Sequence, residues 1–280
     1  MNEQPKFEKR EELNFDYMKV FRVRHGKSEY EELTGEISDS TIDITPEGVK
    51  QIEATTSYLE SVLDKSKDVI VFGYSPRRRA IDSMRIIYNK LKESGFNVVD
   101  DSRKRELRNK LDSIRLLDKQ GQVIEPGTNE YGDSFLEVRK ESYEKYGNNW
   151  FQEVLAKNKD ERIQNDTHSL ESLAEVEERS LDHLSFLMRV SKKFQSKLAT
   201  EGKRLVVIEI AHGEGIAEII DRSTDGEKSI SNNWGIENGG VVEMDIPVKG
   251  KTIKSKLWTE SGGDEKLKPV NFDYLKRKFI

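Results

Sequence analysis

Two stretches of this chain, VFRVRHG at residues 20–26 and VIEIAHG at 207–213, run apolar residues into a histidine followed by a glycine. A third, YSPRRRA at 74–80, closes another apolar run and places Arg79 in the first turn of the helix expected next. Taken together, Arg24, His25, Arg79 and His212 form a set that is cationic or can become so, with no carboxylate among its members. Guanidinium groups bind phosphoryl oxygens bidentately, so such a set suits a phosphoryl dianion. An imidazole among them can act as nucleophile if one ring nitrogen is held as a donor and the other is left bare.

The elements that would deliver these residues follow from the pattern of the chain. YMKVFRVRH (17–25) reads as a strand, and ITPEGVKQIEATTSYLESVL (44–63) as a helix with Thr45 as N-cap and Pro46 at its first position. DVIVFGYS (68–75) reads as a buried strand, PRRRAIDSMRIIYNKLKES (76–94) as a helix beginning at Pro76, and FNVVD (96–100) as a short strand. Strand, helix, strand, helix, strand argues for a parallel sheet covered by helices, and ligands of such sheets bind at the carboxyl ends of the strands. Residues 108–168 break the rhythm with a Gly/Pro/Asn-rich patch and read as an inserted cap. SLESLAEVEERSLDHLSFLMRVSKKFQSKLA (169–199) is the longest helical pattern, with Ser172 and Glu175 at capping-box spacing. RLVVIEIA (204–211) is a strong strand, and 239–247 with 251–258 read as a late hairpin or edge pair that could join a second subunit as a homodimer.

Composition bounds the rest. At 280 residues, with 34% hydrophobic and 35% charged positions, the chain can bury a core beneath a heavily solvated surface. The net charge of −5 gives no bulk attraction to nucleic acid. Without cysteine there are no disulfides, thiol nucleophiles or thiolate metal sites. The first sixteen residues read as a charged arm with no apolar targeting core, so a cytoplasmic protein without membrane contact is expected.

These segments resemble the histidine phosphatase superfamily, the group that includes cofactor-dependent phosphoglycerate mutases. VRHGKS matches its first motif, DITPEGVKQ (43–51) a slightly compressed second, SPRRRA (75–80) a third, ESLAEVEER (171–179) a fourth and AHG (211–213) the last. They run in the family's order over most of residues 18–245. The resemblance implies a three-layer α/β/α sandwich with a mostly parallel central sheet and a helical cap insertion. The whole of 17–280 would then form a single domain. It also implies a phosphomonoester hydrolase that works through a phosphohistidine intermediate. In that reading His25 is the nucleophile, Arg24, Arg79 and His212 bind the phosphoryl group, and Glu106 is the proton donor, with Glu214 as the alternative. No metal or other cofactor is needed, and the partner is a small phosphorylated substrate.

Rival readings are a phosphoglycerate mutase-type transferase and a non-catalytic module that binds a phosphorylated ligand. The stretch RELRNKLDS lacks the pattern that carries the acid in mutases of the family, which favours the phosphatase. Lys27, Glu31 and Leu170 depart from the family's usual residues, but none is among the four central ones. Arg22 and Glu209 each fall three residues before a histidine, on strands otherwise apolar, and are expected to form a buried ion pair. His168 and His183 are expected outside the chemistry, Trp150 and Phe151 to pack the cap, and Arg77 and Arg78 to be helix-surface charges or to lie at the pocket periphery.

Overall fold

The computed structural model describes residues 14–28, 42–99, 111–113, 115–118, 120–124, 129–147, 153–154, 169–223, 236–276 and 278–279. Four parallel strands form its centre: β1 (Tyr17–Arg24), β2 (Asp68–Tyr74), β3 (Asn97–Val98) and β6 (Arg204–Ala211), in the order β1-β6-β2-β3. Beyond β1 the sheet turns antiparallel through β7 (Val241–Pro247) and β8 (Thr252–Thr259). Strands β9 (Gly263–Lys266), β10 (Val270–Asp273) and β11 (Lys278–Phe279) complete it. Separately, β4 (Leu116–Leu117) pairs with β5 (Ser169–Leu170).

Helices cover both faces, which makes the molecule a three-layer α/β/α sandwich. On one face α1 (Pro46–Val62) and α2 (Arg78–Glu93) set Ile52, Leu59, Met84 and Ile87 against Phe21, Val23, Ile208 and Ile210. Across the sheet α4 (Leu173–Val190) and α6 (Gly213–Ser223) set Leu184, Leu187, Ile216 and Ile220 against Val20, Val207 and Ala211. Strands buried on both sides must be nearly continuous in apolar residues, and β6 is buried at all eight of its positions. A third apolar cluster links α3 (Asn129–Tyr146) to β4 and β5 through Val138, Leu116 and Leu170.

Charges inside this sheet come with partners. Lys19 pairs with Glu243 and Asp245, and the Tyr58 hydroxyl donates to Glu243 Oε2 at 3.0 Å. Arg22 lies directly opposite Glu209 in the β1–β6 register, and its Nε donates to Glu209 Oε2 at 2.9 Å with both side chains buried. The expected pair is therefore present, and it has a third member. His183 of α4 lies 2.5 Å from the other carboxylate oxygen.

Several boundaries differ from the expectations. Helix α2 starts at Arg78 rather than Pro76, because Arg77 is extended and its N–H reaches back to Ser75 Oγ at 3.3 Å. The long helical pattern becomes helix only at Leu173, with Ser172 as the N-cap of the Ser172–Glu175 capping box, residues 169–170 being drawn into β5. It then passes through a π-helical turn, Ser191–Gln195, before α5 (Ser196–Thr200). That turn aims Ser191 Oγ at Ile246 O and Gln195 at Phe15 O and the Leu205 N–H. The pair 239–258 is a hairpin but not an edge. Strand β7 is interior, and β8 is taken up by β9 and β10, so residues beyond 260 fill the edge proposed for a second subunit. No helix among the described residues is long and apolar enough to cross a membrane.

Candidate active site

Strands β1, β6 and β2 are neighbours and end together at Arg24, Ala211 and Tyr74. Their pairing continues one residue further, with His25 N–H donating to Ala211 O at 3.1 Å and Ser75 N–H to Ile210 O at 2.9 Å. The register thus delivers His25, His212 and Ser75 side by side at the carboxyl edge of the sheet. The imidazole rings stand 4.8 Å apart between centroids, close to the spacing of adjacent strands, and meet at 62°. Alternation along β1 and β6 turns both imidazoles toward the face covered by α1 and α2, opposite to Arg22 and Glu209.

From that face α2 supplies Arg79, which is buried. Its Nε donates to His25 Nε2 at 3.1 Å, and its Nη2 lies 3.3 Å from His212 Nδ1. On the other side of the ring, His25 Nδ1 lies 2.8 Å from Gly26 O. A carbonyl can only accept and a guanidinium can only donate, so Nδ1 of His25 carries the hydrogen and Nε2 is bare. The same logic makes Nδ1 of His212 the bare nitrogen and gives its hydrogen to Nε2, which meets Ser75 Oγ at 2.8 Å. Burial, together with Arg79, His25, Arg77 and Arg24, holds the His212 pKa well below the ordinary histidine value. Arg24 contributes to this group through its field on His212. Its Nη1 donates to Ile236 O at 2.5 Å.

The backbone carrying His25 is clamped from several sides. Asn238 Nδ2 donates to His25 O at 3.0 Å, the Gly239 N–H to Arg24 O, and the Arg24 N–H to Gly240 O. Ser83 Oγ accepts from the Gly26 N–H at 3.1 Å, and Gln51 Oε1 from the Lys27 N–H at 2.9 Å. The first turn of α1 packs on the same loop, and only hydrogen atoms fit between them. A Cβ on Gly26 would stand 2.5 Å from Gly48 O, and one on Gly48 would stand 2.2 Å from Lys27 O. Both obstacles are backbone. Replacing Gly48→Ala is therefore expected to cost about 1–3 kcal/mol of stability by overpacking. The same change should weaken phosphate binding, since the loop holding His25 must move. Urea unfolding and phosphate titration of the variant check both effects; unchanged midpoint and affinity would contradict the contact.

No family model matches this chain, and no curated protein matches it. Among solved structures, it is similar to a mycobacterial glucosyl-3-phosphoglycerate phosphatase at 18% identity, over 81% of this chain and 90% of that one, with a TM-score of 0.47. A phosphoglycerate mutase from Bacillus anthracis matches at 16% identity over 84% and 91%, with a TM-score of 0.47. An alpha-ribazole phosphatase from Shigella flexneri matches at 14% identity over 81% and 90%, with a TM-score of 0.44.

Of the residues singled out in the sequence, His25, Arg79 and His212 meet directly, and Arg24 lies at the end of the same strand. Glu106 lies outside the described residues, as do Glu31, His168, Trp150 and Phe151. Glu214 falls in the first turn of α6, but its side chain is outside the described set. Lys27 at the mouth is matched by Glu47 at 2.7 Å, which tempers the positive charge expected there. Arg78 is an exposed charge paired with Asp43, as expected.

Arg77 is not a surface charge. It is fully buried, and its Nε donates to Asp112 Oδ1 at 2.8 Å. Asp112 is also the carboxylate that the cationic set lacked in sequence, since it stands one hydroxyl away from His212 through Ser75. The segment ESLAEVEER holds this corner in place. Arg179 bonds Glu171 at 2.7 Å and donates to Asp112 O and Ser113 O. Nothing local in KLDS marks Asp112. Asn238 was detectable as the Asn-Gly pair of the turn leading into β7, although its bond to His25 was not.

Proposed function

We propose that the protein is a histidine phosphatase, hydrolysing a small phosphomonoester through a phosphohistidine intermediate. One observation carries this reading. The bond from His25 Nδ1 to Gly26 O leaves Nε2 bare, facing Arg79 and close to His212 at the carboxyl edge of the sheet.

A docking phosphoryl group takes over the donors of Arg79 that now meet the two imidazoles. Arg24, Arg79 and His212 hold its non-bridging oxygens and offset charge during the transfer. His25 Nε2 attacks phosphorus, the bond to the ester oxygen breaks, and that oxygen leaves as an alcohol after taking a proton from a carboxylic acid. Glu106 is assigned as this acid, with Glu214 as the alternative. Water then attacks the phosphohistidine, gives a proton to the same carboxylate, and frees phosphate and the imidazole. The cations of this mechanism are all side chains, so it calls for no metal ion.

The reading is tested by incubating the protein with an aryl phosphate, with and without a chelator. Release of inorganic phosphate at the same rate in both is expected. Isomerisation of phosphoglycerate with little phosphate release would overturn the hydrolase in favour of a mutase. Tight phosphate binding with no turnover of either substrate would overturn it in favour of a binding module.

A further inference from the structure

We propose that Ser75 and Asp112 are positioning residues for His212, forming a one-way chain of hydrogen bonds from His212 Nε2–H through the Ser75 hydroxyl to the Asp112 carboxylate. The direction of this chain is fixed from both ends. His212 Nδ1 faces the Arg79 guanidinium at 3.3 Å and must accept, so Nε2 must donate, and Ser75 Oγ receives that bond at 2.8 Å. Ser75 Oγ also receives the Arg77 N–H at 3.3 Å, so its own hydrogen has to go elsewhere. Asp112 Oδ1 lies 3.4 Å away and accepts it. That oxygen also accepts from Arg77 Nε and from the Ser113 N–H, both at 2.8 Å, so three donors converge on one carboxylate oxygen.

The consequence concerns how His212 meets its ligand and rests on the phosphatase reading. A bare Nδ1 repels a phosphoryl oxygen, so His212 can hold one only after Nδ1 gains a proton. Burial opposes that gain, and so do the fields of Arg79, His25, Arg77 and Arg24. An arriving dianion reverses the balance. With Nε2–H already committed to Ser75, the only vacant position for the new proton is Nδ1, pointing at the anion. Asp112, behind Ser75, then stabilises the imidazolium. Phosphoryl binding and proton uptake at His212 are thereby coupled.

The test records imidazole nitrogen NMR of the full chain, with His212 assigned by loss of its signals in His212→Asn. In the wild type, the neutral ring should carry hydrogen on Nε2, and inorganic phosphate should shift its titration upward. Ser75→Ala should mix the two neutral forms and weaken phosphate about 10- to 100-fold, the scale of losing a bond to a charged group. Ser75→Thr, which keeps the hydroxyl, should restore both. An unchanged His212 nitrogen spectrum and phosphate affinity in Ser75→Ala would overturn the chain, as would failure of threonine to rescue. Failure of the phosphatase reading looks different: the Ser75-dependent spectrum is intact, but the wild type turns over no phosphomonoester.

Discussion

On the phosphohistidine reading, His25→Ala is expected to lose essentially all turnover of an aryl phosphate, a fall on the order of 10⁴- to 10⁶-fold, as is usual when a covalent nucleophile is removed. The size follows from what alanine cannot do. It cannot form the phosphoenzyme, so hydrolysis would require direct attack by water on the ester, without the covalent intermediate that divides the reaction into two easier displacements. Binding should suffer far less. Arg24, Arg79 and His212 remain, and the Gly26–Gly48 contact that positions the loop does not involve the imidazole. Inorganic phosphate is therefore expected to bind His25→Ala within about tenfold of the wild type, which separates chemistry from affinity. Steady-state kinetics and phosphate titration on the same preparation measure both. Turnover that survives within about tenfold would place the nucleophile elsewhere.

Glu209→Leu should cost about 3–5 kcal/mol of stability, because it strands the buried Arg22 guanidinium without its carboxylate. Replacing both partners, as Arg22→Met with Glu209→Leu, should cost much less than the sum of the single changes and approach neutrality, as for other buried ion pairs replaced by apolar residues. His183 does not spoil the comparison, since an imidazole can remain uncharged where a guanidinium cannot. Equilibrium urea unfolding of the two single variants and the double variant checks this. Additive losses would show that the pair contributes through packing alone.

The same carboxylate sets an acid limit. Burial alone would raise its pKa, but His183 and Arg22 outweigh burial and bring it from the ordinary 4.5 to about 2. A lowered carboxylate stabilises the fold fully above the unfolded value, and that contribution is lost as pH falls from about 4.5 toward 2. Unfolding followed over that window should show a limb that is steeper in the wild type than in the double variant, where Glu243 and the other lowered carboxylates remain. Arg22 Nη1 also donates to Gly215 O, three residues past His212, so the single variants should lose activity along with stability.

Much of this architecture can be read from single segments. β-Branched runs closed by His-Gly, a Thr-Pro helix start and a Ser-x-x-Glu capping box are local devices, and each is where its residues indicate. Even the Arg22–Glu209 pair was legible, because an unpaired charge does not survive on a strand buried on both faces, and equal offsets from two strand ends imply a shared level. Of the two readings of Arg77, as a helix-surface charge or at the pocket periphery, the first fails for the converse reason. On a helix pattern an arginine in a basic run belongs outside, and it is the pairing with Asp112, which precedes β4, that makes its burial tolerable.

Sequence alone determined which side chains could bind a phosphoryl group and on which strand ends they sit, because those depend on residue type and on neighbours a few positions away. Tertiary structure alone decided their state. The hydrogen on each imidazole, the burial of Arg77 and the link from His212 to Asp112 depend on groups far apart along the chain. The Ser75–Asp112 bond spans 37 positions and the Asn238–His25 bond spans 213. Hydrogen bonds and ion pairs act over a few ångströms of space, and separation along the chain does not set that distance.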